Sequence, residues 1–167
     1  MPVTADITLS ITGQQTSVLD LGTAAFPFAL TATSRFTSGT GASQLDRVFA
    51  DTRTLAPSAT EDLDLAGTLL DAFGAAITFV KLKGLFIRSA AANLNSINVS
   101  RPAGATGVPI FLAISDGIVI PPGYTFAWFG TGTGITVTPS TADLITIANA
   151  AGTNSVTYDV VIVGVSA

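Results

Sequence analysis

Gly117-Ile-Val-Ile-Pro-Pro-Gly-Tyr-Thr-Phe-Ala-Trp-Phe129 reads as strand, turn and strand in one short passage. Pro presets the backbone for a turn and Gly supplies the positive φ that a turn needs. The flanking runs are β-branched and aromatic, and each is too short for a helix. The same grammar extends downstream. Gly130-Thr-Gly-Thr-Gly134 is a loop, followed by Ile135-Thr-Val-Thr138, Leu144-Ile-Thr-Ile147 and Val156 to Val165. It extends upstream through Pro109 to Ile114 and through Ile97 and Val99, which form a short strand in an Asn-, Ser- and Gly-rich stretch. Turn signals at about every 8–12 residues are the mark of a β-sandwich or barrel.

Two of these segments carry more detail. Val156 to Val165 has apolar residues on both faces, which predicts a central strand or a subunit contact. In Ile77 to Ala90, Val80 and Leu82 face one way, with Lys81 and Lys83 opposed. After Gly84 the pattern resumes one position out of step at Leu85 and Ile87. A one-residue slip beside a Gly predicts a β-bulge. Asp71-Ala-Phe-Gly74 predicts a turn, and Leu63 and Leu65 alternate with Asp62 and Asp64 as in a strand.

The first fifty residues are less regular. Ile7, Leu9 and Ile11 alternate with Thr8, Ser10 and Thr12, which predicts a half-buried strand. Gly13-Gln14-Gln15 is a plausible turn, with Val18 to Leu21 returning as a hairpin. Pro27 argues against a central strand at Phe26-Pro27-Phe28. Thr37 to Gly41 reads as a loop. Ser43 to Ala50 is the best short helix candidate, with Ser43 as N-cap, although Arg47-Val48-Phe49 fits a strand equally. The fold class expected is all-β: a jelly-roll-like antiparallel β-sandwich with at most one or two short helices. One domain spans 1–167, with 51–167 as the core sandwich and 1–50 as an attachment arm.

The chain has 167 residues, 48% of them hydrophobic, with no His, no Cys and Glu61 as its single Glu. Ser-His-Asp and Cys-His chemistry is excluded for want of residues. A Ser-Lys pairing through Lys81 or Lys83 is opposed by their expected place on a polar strand face. Zinc lacks its usual N and S ligands. Asp62 and Asp64, near Glu61, are weak calcium candidates, because the loop pattern that supplies six to eight oxygens is absent. A glycosidase pair is disfavoured by the single Glu. Gly130 to Gly134 leads into a β-pattern and not into the helix that a phosphate loop requires. No cofactor is expected.

Charged residues make up only 11% and the net charge is −4. The basic residues form no stripe, so nucleic acid is not an expected partner. Mean hydropathy is +0.59, yet no apolar run approaches the ~20 residues of a membrane span. Met1-Pro2-Val3-Thr4 lacks the basic region and apolar block of a secretory signal. The excess apolar character instead predicts a large subunit interface. Interface candidates are Ile7, Leu9 and Ile11 on the first strand, Trp128 and Phe129 in the aromatic strand, which fit core packing equally and a ligand platform less well, and Val161 and Val163 in the last.

From Asp51 to Ala167 the chain resembles small bacteriophage virion structural proteins: head decoration, spike-base or tail-associated β-sandwich subunits. The stretches that carry the resemblance are Asp51-Thr-Arg-Thr-Leu-Ala56, Glu61-Asp-Leu-Asp-Leu-Ala-Gly67, Asp71-Ala-Phe-Gly74 leading into Ile77-Thr-Phe79, and Tyr158-Asp-Val-Val-Ile-Val-Gly164, with the Pro121-Pro-Gly123 turn between. The resemblance implies a location on the virion, no catalytic residues, and partners among the major capsid or other virion proteins. The expected function is a non-enzymatic capsid decoration, cement or head-spike subunit. It would self-associate, as a homotrimer, and use the amino-terminal segment to add a strand to a neighbour. The alternative is a tail-tip or fibre-associated receptor- or glycan-binding domain, with Asn93 to Gly107 and Gly130 to Gly134 as its recognition loops. An enzyme is the third class.

Overall fold

The structure, a computed structural model, describes residues 2–104 and 106–167. It is built from β1 (Ala5–Leu19), β2 (Gly22–Ser38), β3 (Gln44–Leu45), β4 (Arg47–Leu55), β5 (Thr60–Asp64), β6 (Lys81–Ser89), β7 (Ile97–Ser100), β8 (Gly117–Ile120), β9 (Thr125–Phe129), β10 (Ile135–Thr136), β11 (Leu144–Asn149) and β12 (Val156–Val165). No helix occurs among the described residues.

Nine of these strands form the body. One sheet runs β4-β12-β6, and β9 then β10 pair with successive parts of the free side of β6. The facing sheet runs β5-β11-β7-β8. Set β10 aside, and the body strands read first-eighth-third-sixth in one sheet and second-seventh-fourth-fifth in the other. That order is a jelly roll, two Greek keys wrapped into a sandwich. The expected all-β fold is therefore the observed one, with every pairing in the body antiparallel.

The core lies between the sheets. Phe49, Leu85, Ile87, Val160 and Ile162 point inward from the first sheet, and Leu63, Ile97, Val99, Ile145 and Ile147 from the second. All are 3% exposed or less. Burying a side chain of this kind contributes about 1.5–3 kcal/mol gross. The predicted bulge is present: Val163 pairs with Gly84 and Gly164 with Leu82, leaving Lys83 as the extra residue. Only Gly fits at 84, where a Cβ would stand 2.7 Å from Val163 Cγ2. The Pro121-Pro122-Gly123 turn is closed by Tyr124 N–H donating to Pro121 O at 3.0 Å, with Gly123 at φ +79°. Asp71 closes its turn by accepting from the N–H groups of Phe73 and Ala75.

Four expectations are corrected. Gly13 to Gln15 is no turn, because β1 runs straight through it and the hairpin reverses at Asp20-Leu21. Ser43 to Ala50 is not helical: Ser43 sits at φ +53°, Gln44-Leu45 pairs with β2, and Arg47 onward pairs with β12. Long-range pairing overrides a weak local preference there. β4 thus begins inside the stretch assigned to the arm, which ends at Ser38. Pro109 to Ile114 is a looped segment and not a strand. Asp116 accepts from Ala113 N–H, and Arg101 brackets Ser115 and Asp116 through backbone bonds.

Candidate functional site

The first two strands form an arm. All 15 residues of β1 pair with β2, from Ala5↔Phe36 to Leu19↔Gly22. At about 3.4 Å per residue this hairpin is about 50 Å long. Period-two alternation gives it two unlike faces. One face carries the Asp6–Arg35 ion pair at 3.0 Å and the Thr8–Thr33 and Ser10–Thr31 hydroxyl pairs at 3.2 Å. The other is mainly apolar: Ile7, Leu9, Ile11 and Leu19 from β1 and Ala32, Leu30, Phe28, Phe26 and Ala24 from β2, with Gln15, Ser17 and Ser34 as its polar members. Gly13 interrupts that face, and the ring of Phe28 lies over it, where a Cβ would come within 2.3 Å of Cζ. A cross-strand aromatic thus supplies the cover that Gly lacks. Beyond the root nothing covers the face: Leu9 is 51% exposed, Leu30 67% and Phe26 68%.

The root is held by packing and by one buried cation. Phe36, Leu45 and Val163 form a small second core, joined by Val3, Ala5, Ile7, Val48 and Val161. The arm therefore sits on the outer face of the β4-β12 region, which explains why β12 is apolar on both sides. Lys83, placed on a polar face from sequence, is 1% exposed. The bulge aims its Nζ at the linker between arm and body, where it donates to Gln44 O at 2.9 Å and to Gly41 O. Burial pushes its pKa down, Lys81 adds to that, and Asp46 opposes it. Ser43 N–H donates to Thr131 O at 2.9 Å, tying the linker to the Gly130 loop as well.

Beside the root lies a groove of about 490 Å³. Consecutive residues Thr4 to Leu9 border it, so it is the edge of β1 and not merely one face that forms the wall. The floor is the outer surface of the first sheet: Gly84, Phe86, Ala127, Phe129 and Val161. That outer surface is divided. Toward the other end of the strands, Thr52, Asp159 and Arg88 stand in register. Asp159 accepts from Thr52 at 2.7 Å and from Arg88 at 2.6 Å. The bonds from Thr52 and Arg88 hold its pKa below the usual value. The apolar half is only partly covered by the arm root.

Six of the seven interface candidates meet at this groove: Ile7, Leu9, Trp128, Phe129, Val161 and Val163. Trp128 is half-buried and packs chiefly into the core opposite Leu85. Ile11 stands further out on the same arm face. The acidic candidates lie elsewhere. Asp62 accepts from Thr146 at 2.5 Å and Asp64 caps Ala66 N–H at 2.9 Å. No group of three potential ligands assembles among the described residues. Glu61 bridges the two sheets, accepting from Tyr158 Oη at 2.5 Å and from Arg53. Arg53 also stacks on Phe49 at 5.7 Å. The two proposed recognition loops begin at opposite ends of β6, since Gly130 N–H bonds Lys83 O while Asn93 Nδ2 donates to Ser89 Oγ at 3.0 Å. Asn93 and Asn95 are turned inward as brackets to Thr157, Asn149 and Asn154.

Phe26, Phe28, Leu30 and Phe86 belong to this surface and were not singled out from sequence. The alternation Phe26, Phe28, Leu30, Ala32 was the available signal, obscured by Pro27. Comparison with protein-family models, with curated proteins and with solved structures returns no match for this chain.

Proposed function

We propose that the chain is a non-enzymatic structural subunit of a bacteriophage particle, a capsid decoration or head-spike protein that attaches through its hairpin arm. The observation that carries this reading is the arm: 15 paired residues with a face on which Leu9, Ile11, Leu19, Phe26, Phe28 and Leu30 are left exposed beyond the root. A monomer rarely exposes so long an apolar patch without a partner for it. The jelly-roll body, the residue types available and the resemblance of residues 51–167 to virion proteins support the same reading. Each seated arm buries apolar area at about 25 cal/mol per Å² gross, less the cost of association. Multiplied over many copies, such contacts reinforce a shell.

The test is cryo-EM of purified particles from the producing culture. The expected map shows sandwich density in many copies on the head, with a two-stranded arm lying on an adjacent subunit. Particles that lack the chain, or that carry a handful of copies at a tail tip, overturn the decoration role.

A further inference from the structure

The groove at the arm root has the shape of a missing strand. β1 is the outermost strand of its sheet, so the backbone edge along Thr4 to Leu9 has no strand partner. The floor below that edge is Phe86, Ala127 and Phe129, all apolar or small. An added strand would bond to the β1 edge while laying every second side chain on the floor, the geometry of β-augmentation. The edge has been left open. Pro27 blunts the free side of β2, whereas no Pro interrupts β1.

We infer that the occupant is the distal half of the arm of a second copy of this chain, its own Pro-free β1 edge set against this one and Phe26, Phe28 and Leu30 of the paired β2 facing down over the floor. Four observations select it. The added strand must have nothing beneath its apolar face, or two bodies would collide. The root of another arm is therefore disqualified, because Val48, Val161 and Val163 of its own body already lie there. The distal arm has its apolar face bare, and a reach of about 50 Å carries it beyond its own body. The chain's own arm is committed to its hairpin through Leu19↔Gly22 and cannot fold back into the groove. Charge decides against a lipid surface: Asp20 is the only charged residue between Ile7 and Ser34, and an interfacial element rests on Lys and Arg. Tip into root is a head-to-tail contact, which closes into a ring when the rotation per subunit allows. The inference rests on the reading of the arm as an attachment device and names its first seat.

The absence of Cys makes the test clean. Ala24→Cys marks the distal arm face and Ala127→Cys marks the groove floor. Both are small substitutions at exposed positions. Mixing the two proteins with a short bis-maleimide should yield the mixed dimer, and neither protein alone should do so comparably. Sedimentation of the unmodified chain should show concentration-dependent assembly. Ala127→Arg should weaken it about tenfold or more. Val119→Arg, on the outer face of the other sheet, should leave it unchanged, and circular dichroism should show both variants folded. A chain that stays monomeric at every concentration overturns the inference. So does assembly indifferent to Ala127→Arg, or an arm that binds phosphatidylcholine vesicles in place of a second copy. If the seat fails while the particle still carries the chain, the proposed function stands and only this partner is lost.

Discussion

Tyr158→Phe should destabilise the sandwich by about 1.5–3 kcal/mol, the range for a hydrogen bond to a charged group. Tyr158 is 0% exposed on β12, and its hydroxyl reaches Glu61 on β5 in the opposite sheet. Phe keeps the ring and its packing, so the lost bond is nearly the whole change. Glu61 keeps Arg53 and is 21% exposed, which lets water repair part of the loss and argues against a larger value. For a chain of this size each kcal/mol moves Tm by about 2–4 °C, so the drop should be about 3–12 °C. The pH dependence identifies the group. Burial first, then the bond to Glu61 and the Glu61 charge, push the Tyr158 pKa well above its ordinary 10.0. A raised pKa gives stability that is fully present below the unfolded value and lost as pH rises beyond it. The wild-type advantage over Tyr158→Phe should hold from pH 7 to about 10. Above that it should shrink by as much as about 1.4 kcal/mol per pH unit. Comparing the two proteins cancels Lys83, whose lowered pKa gives the opposite slope. Urea titrations at pH 7, 9, 10 and 11 read the effect. A difference below about 0.5 kcal/mol at pH 7, or one that does not narrow above pH 10, refutes the bridge.

Gly164→Ala should cost about 1–3 kcal/mol or more in denaturant titration, because its Cβ would stand 2.2 Å from Lys81 O, a backbone atom that cannot swing aside; a neutral outcome would contradict the strand spacing at the bulge. Lys83→Met should free the arm linker: hydrogen exchange should quicken at the N–H groups of Thr37 and Gly39, which bond Ser43 O and Leu45 O, while β12 amides hold their protection. Asp159→Asn should cost stability near neutrality, with the gap closing as pH falls below 3.8. A carboxylate of lowered pKa stabilises above its unfolded value and loses that contribution as acid protonates it. Thermal melts from pH 2 to 7 check this.

Much of the body was legible because the signals involved are local. Alternation places Leu63 and Leu65 inward, Pro121-Pro122-Gly123 turns the chain, and the slip at Gly84 marks a bulge, each readable within a few residues. Val156 to Val165 was readable as buried on both faces. What covers its outer face, the arm root with Val3, Ala5 and Phe36, was not. Nothing local marks Gly13 as a strand residue, because what covers it there is Phe28, fifteen positions along and directly across. The burial of Lys83 is not legible in its residue type, because a bulge turns a side chain without altering that type.

The amino-acid sequence alone determined that this is a β-protein with a firm turn at Pro121-Pro122-Gly123, and that it has no His and no Cys from which a Ser-His-Asp or Cys-His site could be built. Period-two patterning and composition are properties of neighbouring residues, so they survive without the fold. Tertiary structure decided which strands pair into the jelly roll, where the arm begins and ends, and that six scattered apolar residues border one groove. Those depend on contacts between residues far apart in the chain, and no local preference encodes them.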